Sequence, residues 1–252
     1  MTVYELYDAL SEKIPKTLSE PWDNDGLMCC PDGTRTVTRV LLALDVTDAV
    51  VEHAVSVGAE LIVSHHPLIF SPLSSLGGED PVERRVLRLV SSGIAVFSFH
   101  TRLDRAEGGV NDTLASQLRL QQLAPLGEGE ASLGRVGTLP AKMTVEDFAE
   151  YVKLALGVPF VQVWDAGRPV SRVALVGGEG KDFLPYAEAC GADTYLSGRI
   201  GYHRMQDSPL NLLEAGHYFT ERQVTVALAD MLRAIGFAGE LEIYTPNPLA
   251  VY

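Results

Sequence analysis

The sequence predicts an α/β fold of two related halves, with mixed or parallel sheets flanked by helices and a metal site at the strand ends between the halves. Three observations carry that expectation. Short apolar runs alternate with helical segments along the chain. One strand–helix–strand segment is echoed without gaps at an offset of 133 residues. Four of the six histidines directly follow predicted strands, and strand carboxyl ends form the ligand crevice of open α/β sheets.

The elements follow in order. Thr2-Val3-Tyr4-Glu5 fits a capping box, and Leu6, Leu10 and Ile14 recur at one-turn spacing, so the chain opens with a helix. Val40 to Leu44 is an apolar run ending at Asp45, the pattern of a buried strand. Residues 48–57 read as a helix stopped by Gly58, and Leu61 to Val63 as a strand running into Ser64-His65-His66-Pro67. Asp80-Pro81 is a helix start with proline at the first helical position, and Gly93 is its stop. Ile94 to Phe99 is a third strand, ending at His100, and Gly108 to Leu118 a helix opening on glycines. Pro125, Gly127, Gly129 and Gly134 predict a loop. Thr144-Val145-Glu146-Asp147 caps a helix ending near Gly157, and Phe160 to Trp164 alternates like an edge strand.

The echo sets the expected organisation. Arg39-Val40 recurs as Arg172-Val173, Leu42 as Leu175, Ala54 as Ala187, Gly58-Ala59-Glu60 as Gly191-Ala192-Asp193, and Ser64 as Ser197. An ungapped register with matching ends favours duplication over the shared composition of β-α-β units. The chain accordingly divides into a first half over 1–119, a connecting section over 120–170 and a second half over 171–252, expected to behave as one compact unit.

Composition narrows the function classes. The 33 acidic residues outnumber the 20 basic ones, for a net charge of −13. A duplex-binding surface gathers Lys and Arg on one face, which disfavours nucleic acid as a partner. No run approaches the roughly 20 apolar residues of a membrane span, and the N-terminus lacks an apolar signal core. Three cysteines, two of them adjacent (Cys29-Cys30), make no disulfide framework, so the expected setting is a reducing cytoplasm. Vicinal cysteines bind one ion awkwardly and are read as non-ligands, as is the mid-helix His53.

His65, His66, His100 and His217 carry the chemistry. Two of them share a partner spacing: His100-Thr-Arg-Leu-Asp104 and His217-Tyr-Phe-Thr-Glu221 are both His-x-x-x-carboxylate. Residues four apart share a helix face, and at a strand-to-helix turn the same offset can bring both groups to one cavity. Thr220 reads as an N-cap that would place Glu221 in a first helical turn. Imidazoles and carboxylates together suit zinc, iron, manganese or nickel. Paired ions polarise a substrate and activate water at neutral pH. Adjacent His65 and His66 point apart along extended backbone, so they need either a sharp turn or one ion each.

Taken together, these residues resemble a known family. Trp22-Asp23-Asn24-Asp25-Gly26-Leu27, Leu44-Asp45-Val46-Thr47, Ser64-His65-His66-Pro67-Leu68-Ile69-Phe70, His100-Thr101-Arg102-Leu103-Asp104, Gly109-Val110-Asn111-Asp112, Gly201-Tyr202-His203 and Gly216-His217-Tyr218 with Thr220-Glu221 are similar to the motifs of the YbgI-like dinuclear metal-centre proteins. Those proteins are labelled GTP cyclohydrolase I type 2 homologues and are related to the yeast NGG-interacting factor. The resemblance implies two divalent ions on His65, His66, Asp104, His217 and Glu221, with Glu221 bridging and His100 contributing as in some members. It also implies a toroidal homohexamer, and it makes 120–170 the place where longer members carry an extra domain. Arg102 and Arg199 depart from the Asn and the acidic residue frequent there; the lost acid could have supported a ligand or carried protons, and equally the two cations could meet a phosphate.

Two functions follow as expectations. One is a metal-dependent hydrolase acting on a nucleotide or phosphorylated small molecule, with His203 and Asp45 as proton carriers; the family label makes the substrate GTP and the reaction opening of the guanine imidazole ring. The alternative is a non-catalytic metal-binding scaffold or regulator acting through protein partners.

Overall fold

The computed structural model of the chain describes residues 1–127 and 132–247, so the loop glycine Gly129 lies outside the described residues. These residues form two units: Met1–Ala106 with the described residues from Val224 on, and Glu107–Gln223. Each unit has its own sheet.

The first unit is built around β1 (Gly26–Cys29), β2 (Arg39–Ala43), β3 (Leu61–Ser64), β4 (Ala95–Ser98) and β11 (Glu240–Ile243), in the order β1-β4-β3-β2-β11. All neighbours are parallel except β1 with β4. β3 and β4 are buried at every position, which is why the sequence reads there as continuous apolar runs. Local chemistry sets the helices. The Thr2/Glu5 capping box opens α1 (Val3–Lys13). Thr47 caps α2 (Asp48–Val57), and Asp80 caps α3 (Pro81–Ser92) with Pro81 in its first turn. Left-handed Gly58 and Gly93 end these two helices as the sequence predicts. The short α4 (Thr101–Arg105) follows β4, and α10 (Val224–Ala234) leads into β11. Leu41, Ala43, Val50, Ala54, Ile62, Leu89 and Val96 form the core of one sheet face.

The second unit begins with α5 (Val110–Gln117). Its sheet comprises β5 (Gln121–Leu126), β6 (Gly134–Met143), β7 (Gln162–Trp164), β8 (Val170–Glu179), β9 (Thr194–Arg199) and β10 (Asn211–Glu214), in the order β5-β6-β8-β9-β10-β7. The pairs β8–β9 and β9–β10 are parallel and the rest antiparallel, so this sheet is mixed. Its helices are α6 (Val145–Leu156), α7 (Leu184–Ala189), α8 (Tyr202–Met205) and α9 (His217–Glu221). Separate apolar clusters cover its faces, one around Phe148, Val173 and Leu196 and one around Ala174, Tyr195 and Leu212.

The internal echo is structural. β2 pairs with β3 at Val40↔Leu61 and Ala43↔Ser64, while β8 pairs with β9 at Val173↔Thr194 and Val176↔Ser197. Every partner keeps the offset of 133, so both units hold the same parallel strand–helix–strand in the same register.

Two expectations are corrected. Of the predicted loop, Pro125 lies in β5, an exposed edge strand whose glutamines and proline imitate a loop, and Gly134 opens β6, while Gly127 lies outside both strands. The connecting section is thereby part of the second sheet. The end of the predicted second half belongs with the first unit, where β11 takes the edge beside β2. Phe160 to Trp164 does supply an edge strand, β7.

Candidate metal centre

In the first unit, β3 and β4 end side by side and present three histidines. The chain bends at His65-His66: His65 N–H donates to Ala43 O and His66 N–H to Leu44 O. Ser64 holds the bend, its hydroxyl donating to His66 O and meeting Ser98 Oγ at 2.8 Å. Both rings therefore lie on one side, with centroids 4.8 Å apart, and each approaches His100, at 5.3 and 5.8 Å. The sharp turn is realised. Ligand-capable atoms of the three rings all lie within 4.8 Å of one another.

Each ring is keyed at Nδ1. His65 Nδ1 donates to Phe99 O at 2.9 Å, His66 Nδ1 to Asp45 Oδ1 at 2.7 Å, and His100 Nδ1 to Asp23 Oδ1 at 2.9 Å. A carbonyl or carboxylate accepts only from N–H, so the neutral rings keep their lone pairs on Nε2, the tautomer a metal requires. Asp104, buried on α4, stands 3.6 Å from His65 Nε2. This donor set fits a divalent cation.

The supports are Asp23 and Asp25, residues to which the sequence reading assigns no role. Asp23 accepts from Thr101 N–H and Oγ1 as well as from His100. Burial pushes its carboxyl up, but the hydrogen bonds from His100 and Thr101 outweigh burial and hold it at about 2. Asp25 accepts from Ser19, Lys16 and His100 N–H and pairs with Arg102 Nε at 3.1 Å. Two acids spaced by one residue before Gly26 are the visible sequence signal; their partners His100 and Thr101 are 75 to 78 residues away. Arg102 is fully buried, packed on the Phe99 ring at 4.3 Å and donating to Ile14 O. It therefore cannot meet a phosphate as expected, because Asp25 and the core already hold it. Arg199 is exposed at the end of β9, beside Glu179.

In the second unit, α9 carries the other arm. His217 Nε2 and Glu221 Oε2 stand 2.9 Å apart, Glu221 buried and His217 half-exposed. Thr220 is not the predicted N-cap. Gly216 starts the helix, and Thr220 Oγ1 donates back to His217 O while accepting from Gly178 N–H, so Glu221 ends α9. Gly178 has φ +64°, and a Cβ there would stand 2.1 Å from Glu221 Oε1. Only glycine leaves the carboxylate its place. Buried Asn111 fixes the neighbouring backbone by accepting from Gly177 N–H and donating to Leu133 O.

The two His-x-x-x-carboxylate arms are not strict counterparts. Ser98 pairs with Ser64 and Glu214 with Ser197, so β4 and β10 end at matching levels. His100 is then the cap of α4, whereas His217 is the first residue of α9. The remaining singled-out residues join no metal-capable group among the described residues. His53 bonds Glu242 and stacks on Tyr244 with centroids 4.0 Å apart, a packing task. Burial pushes the Cys29 thiol up to about 11 and raises that of Cys30, and neither joins a metal-capable group among the described residues. His203 is exposed on α8 with its ring edge-on to Tyr202. No helix among the described residues is long and apolar enough to cross a membrane.

The chain is similar to known proteins over nearly its whole length. A relative in Clostridium perfringens named GTP cyclohydrolase 1 type 2 homolog is 33% identical over 242 residues, covering 92% of each chain. The Staphylococcus aureus hypothetical protein SA1388 superposes with a TM-score of 0.92 at 26% identity, covering 100% of this chain and 99% of that one. The protein ybgI, described as of unknown function, does so with a TM-score of 0.86 at 25% identity, over 99% and 100%. The model of one family, Duf34/NIF3 (NGG1p interacting factor 3), matches residues 1–247, and this chain belongs to it.

Proposed function

We propose that the chain is a metal-dependent hydrolase in which His65, His66, His100, Asp104, His217 and Glu221 would hold two divalent ions. The observation that carries this reading is the triple keying of His65, His66 and His100 at Nδ1, which turns three Nε2 lone pairs to one purpose. The His217/Glu221 pair of the second unit supplies the same donor chemistry. When bound, such ions polarise a substrate and activate water. The chain's own residues orient the rings and carry protons: Asp45 accepts the Nδ1–H hydrogen bond of His66, and Asp45 and His203 are the proposed proton carriers. The substrate suggested by the relatives' name is GTP, opened at the guanine imidazole ring. The proposed setting is the cytoplasm, in keeping with three free cysteines.

Metal analysis of protein purified without chelators should find about two ions per chain, with sharply fewer in Glu221→Ala. Loaded protein incubated with GTP should form a ring-opened product. Absence of turnover on GTP and on a phosphoester panel, with occupancy confirmed, overturns the hydrolase and leaves a metal-binding scaffold. A partner captured by wild type and lost in His65→Ala would then identify that role.

A further inference from the structure

Beside His100 stand two large aromatic side chains that burial does not explain. Trp22 is 62% exposed and Phe70 is 55% exposed. Their rings lie 6.2 Å apart, edge to face, and each lies 6.3 Å from the His100 ring. Exposed large aromatics grouped at a polar site are characteristic of ligand contacts rather than of cores.

The chain also fixes their positions. Asn24 Nδ2 donates to Ile69 O at 2.6 Å, tying the loop that bears Trp22 to the loop that bears Phe70. Asp23, next to Trp22, is anchored by Thr101 and His100. Leu68 N–H donates to Ser98 Oγ, anchoring the other loop to β4. An aromatic corner held from three sides is already organised before a ligand arrives.

We propose that Trp22 and Phe70 form a stacking corner for the planar heteroaromatic ring of a purine-type substrate, presenting that ring's edge toward His100. This inference deepens the hydrolase reading and rests on it for the reaction, but not for the binding. Intercalation between the two rings needs about 3.5 Å on each side, more than the 6.2 Å edge-to-face spacing leaves. The ligand ring therefore lies on the open face of one aromatic and meets the edge of the other. Sequence-tolerant stacking of this kind is worth about 1–3 kcal/mol per base, or roughly 5- to 150-fold in affinity.

The test reads binding rather than turnover. The chain has two tryptophans, so Trp164→Phe leaves Trp22 as the sole reporter. Guanosine 5′-monophosphate should quench its fluorescence, and ribose 5-phosphate, which lacks the ring, should not. Trp22→Ala and Phe70→Ala should each weaken nucleotide binding about tenfold by calorimetry with metal content unchanged, and Trp22→Phe should restore most of it. Equal response to both phosphates overturns the proposal, as does unchanged affinity in both alanine variants. A shift in sedimentation rather than affinity in those variants assigns the corner to contact between copies and likewise overturns it. Metal-free protein separates the two readings: if no ion binds but the aromatic-dependent purine affinity persists, the corner stands and the hydrolase falls.

Discussion

Asp23 shows how one side chain can govern a proposed ligand, His100, that it does not replace. Its carboxylate accepts the Nδ1 proton of His100, so Asp23→Asn should keep the shape and weaken metal binding about 10- to 100-fold, read by chelator competition. Arg102 acts on stability instead. Its guanidinium is sealed against Asp25, so Arg102→Met keeps the bulk and leaves a buried carboxylate short of its partner. Urea unfolding should show a loss of about 3–5 kcal/mol. The clustering of His65, His66 and His100 was legible in the sequence because all three follow strands that end side by side. Asp23 and Asp25 were not, since their meaning depends on hydrogen bonds to a segment some 75 residues on. Arg102 was misread as a phosphate contact for the same reason: exposure of an arginine is a tertiary fact.

Short elements position the donors, and backbone shape limits what they accept. At Gly178 a left-handed residue lets β8 pass beneath Glu221. Gly178→Ala should leave the circular dichroism spectrum close to wild type while lowering bound metal, because the new Cβ displaces the carboxylate. Elements with strong local signals were legible nearly to the residue: α2 and α3 begin at Thr47 and Asp80 caps and end at glycines. β5 was not, because an exposed edge strand needs no apolar face and so leaves no period-two pattern. Thr220 misled in another way. A threonine before a glutamate resembles a cap, but Gly216 had already turned the chain and the hydroxyl bonds backwards along the helix.

At the scale of the molecule, the repeat was legible because duplication left residues in register, and the pairing of β2–β3 and β8–β9 keeps that register. The allocation of the chain's last stretch was not, since no local feature of Glu240–Ile243 names its partner strand. The homohexamer that the family resemblance implies predicts a sedimenting mass near six times the 27.3 kDa chain. A monomer or dimer at micromolar concentration would contradict it.

The return of β11 to the first sheet makes the second unit an insertion within the first. On the ribosome this has a consequence in time. β2 emerges early, yet its outer neighbour follows about 200 residues later, on the order of 10–40 s at the usual rate of synthesis. Throughout that interval the apolar strand Arg39–Ala43 offers an open edge to any other nascent chain. The second unit, contiguous in sequence, can close its own sheet first. Folding in the cell should therefore run from the inside of the chain outward, and the first unit, though begun earlier, is completed last.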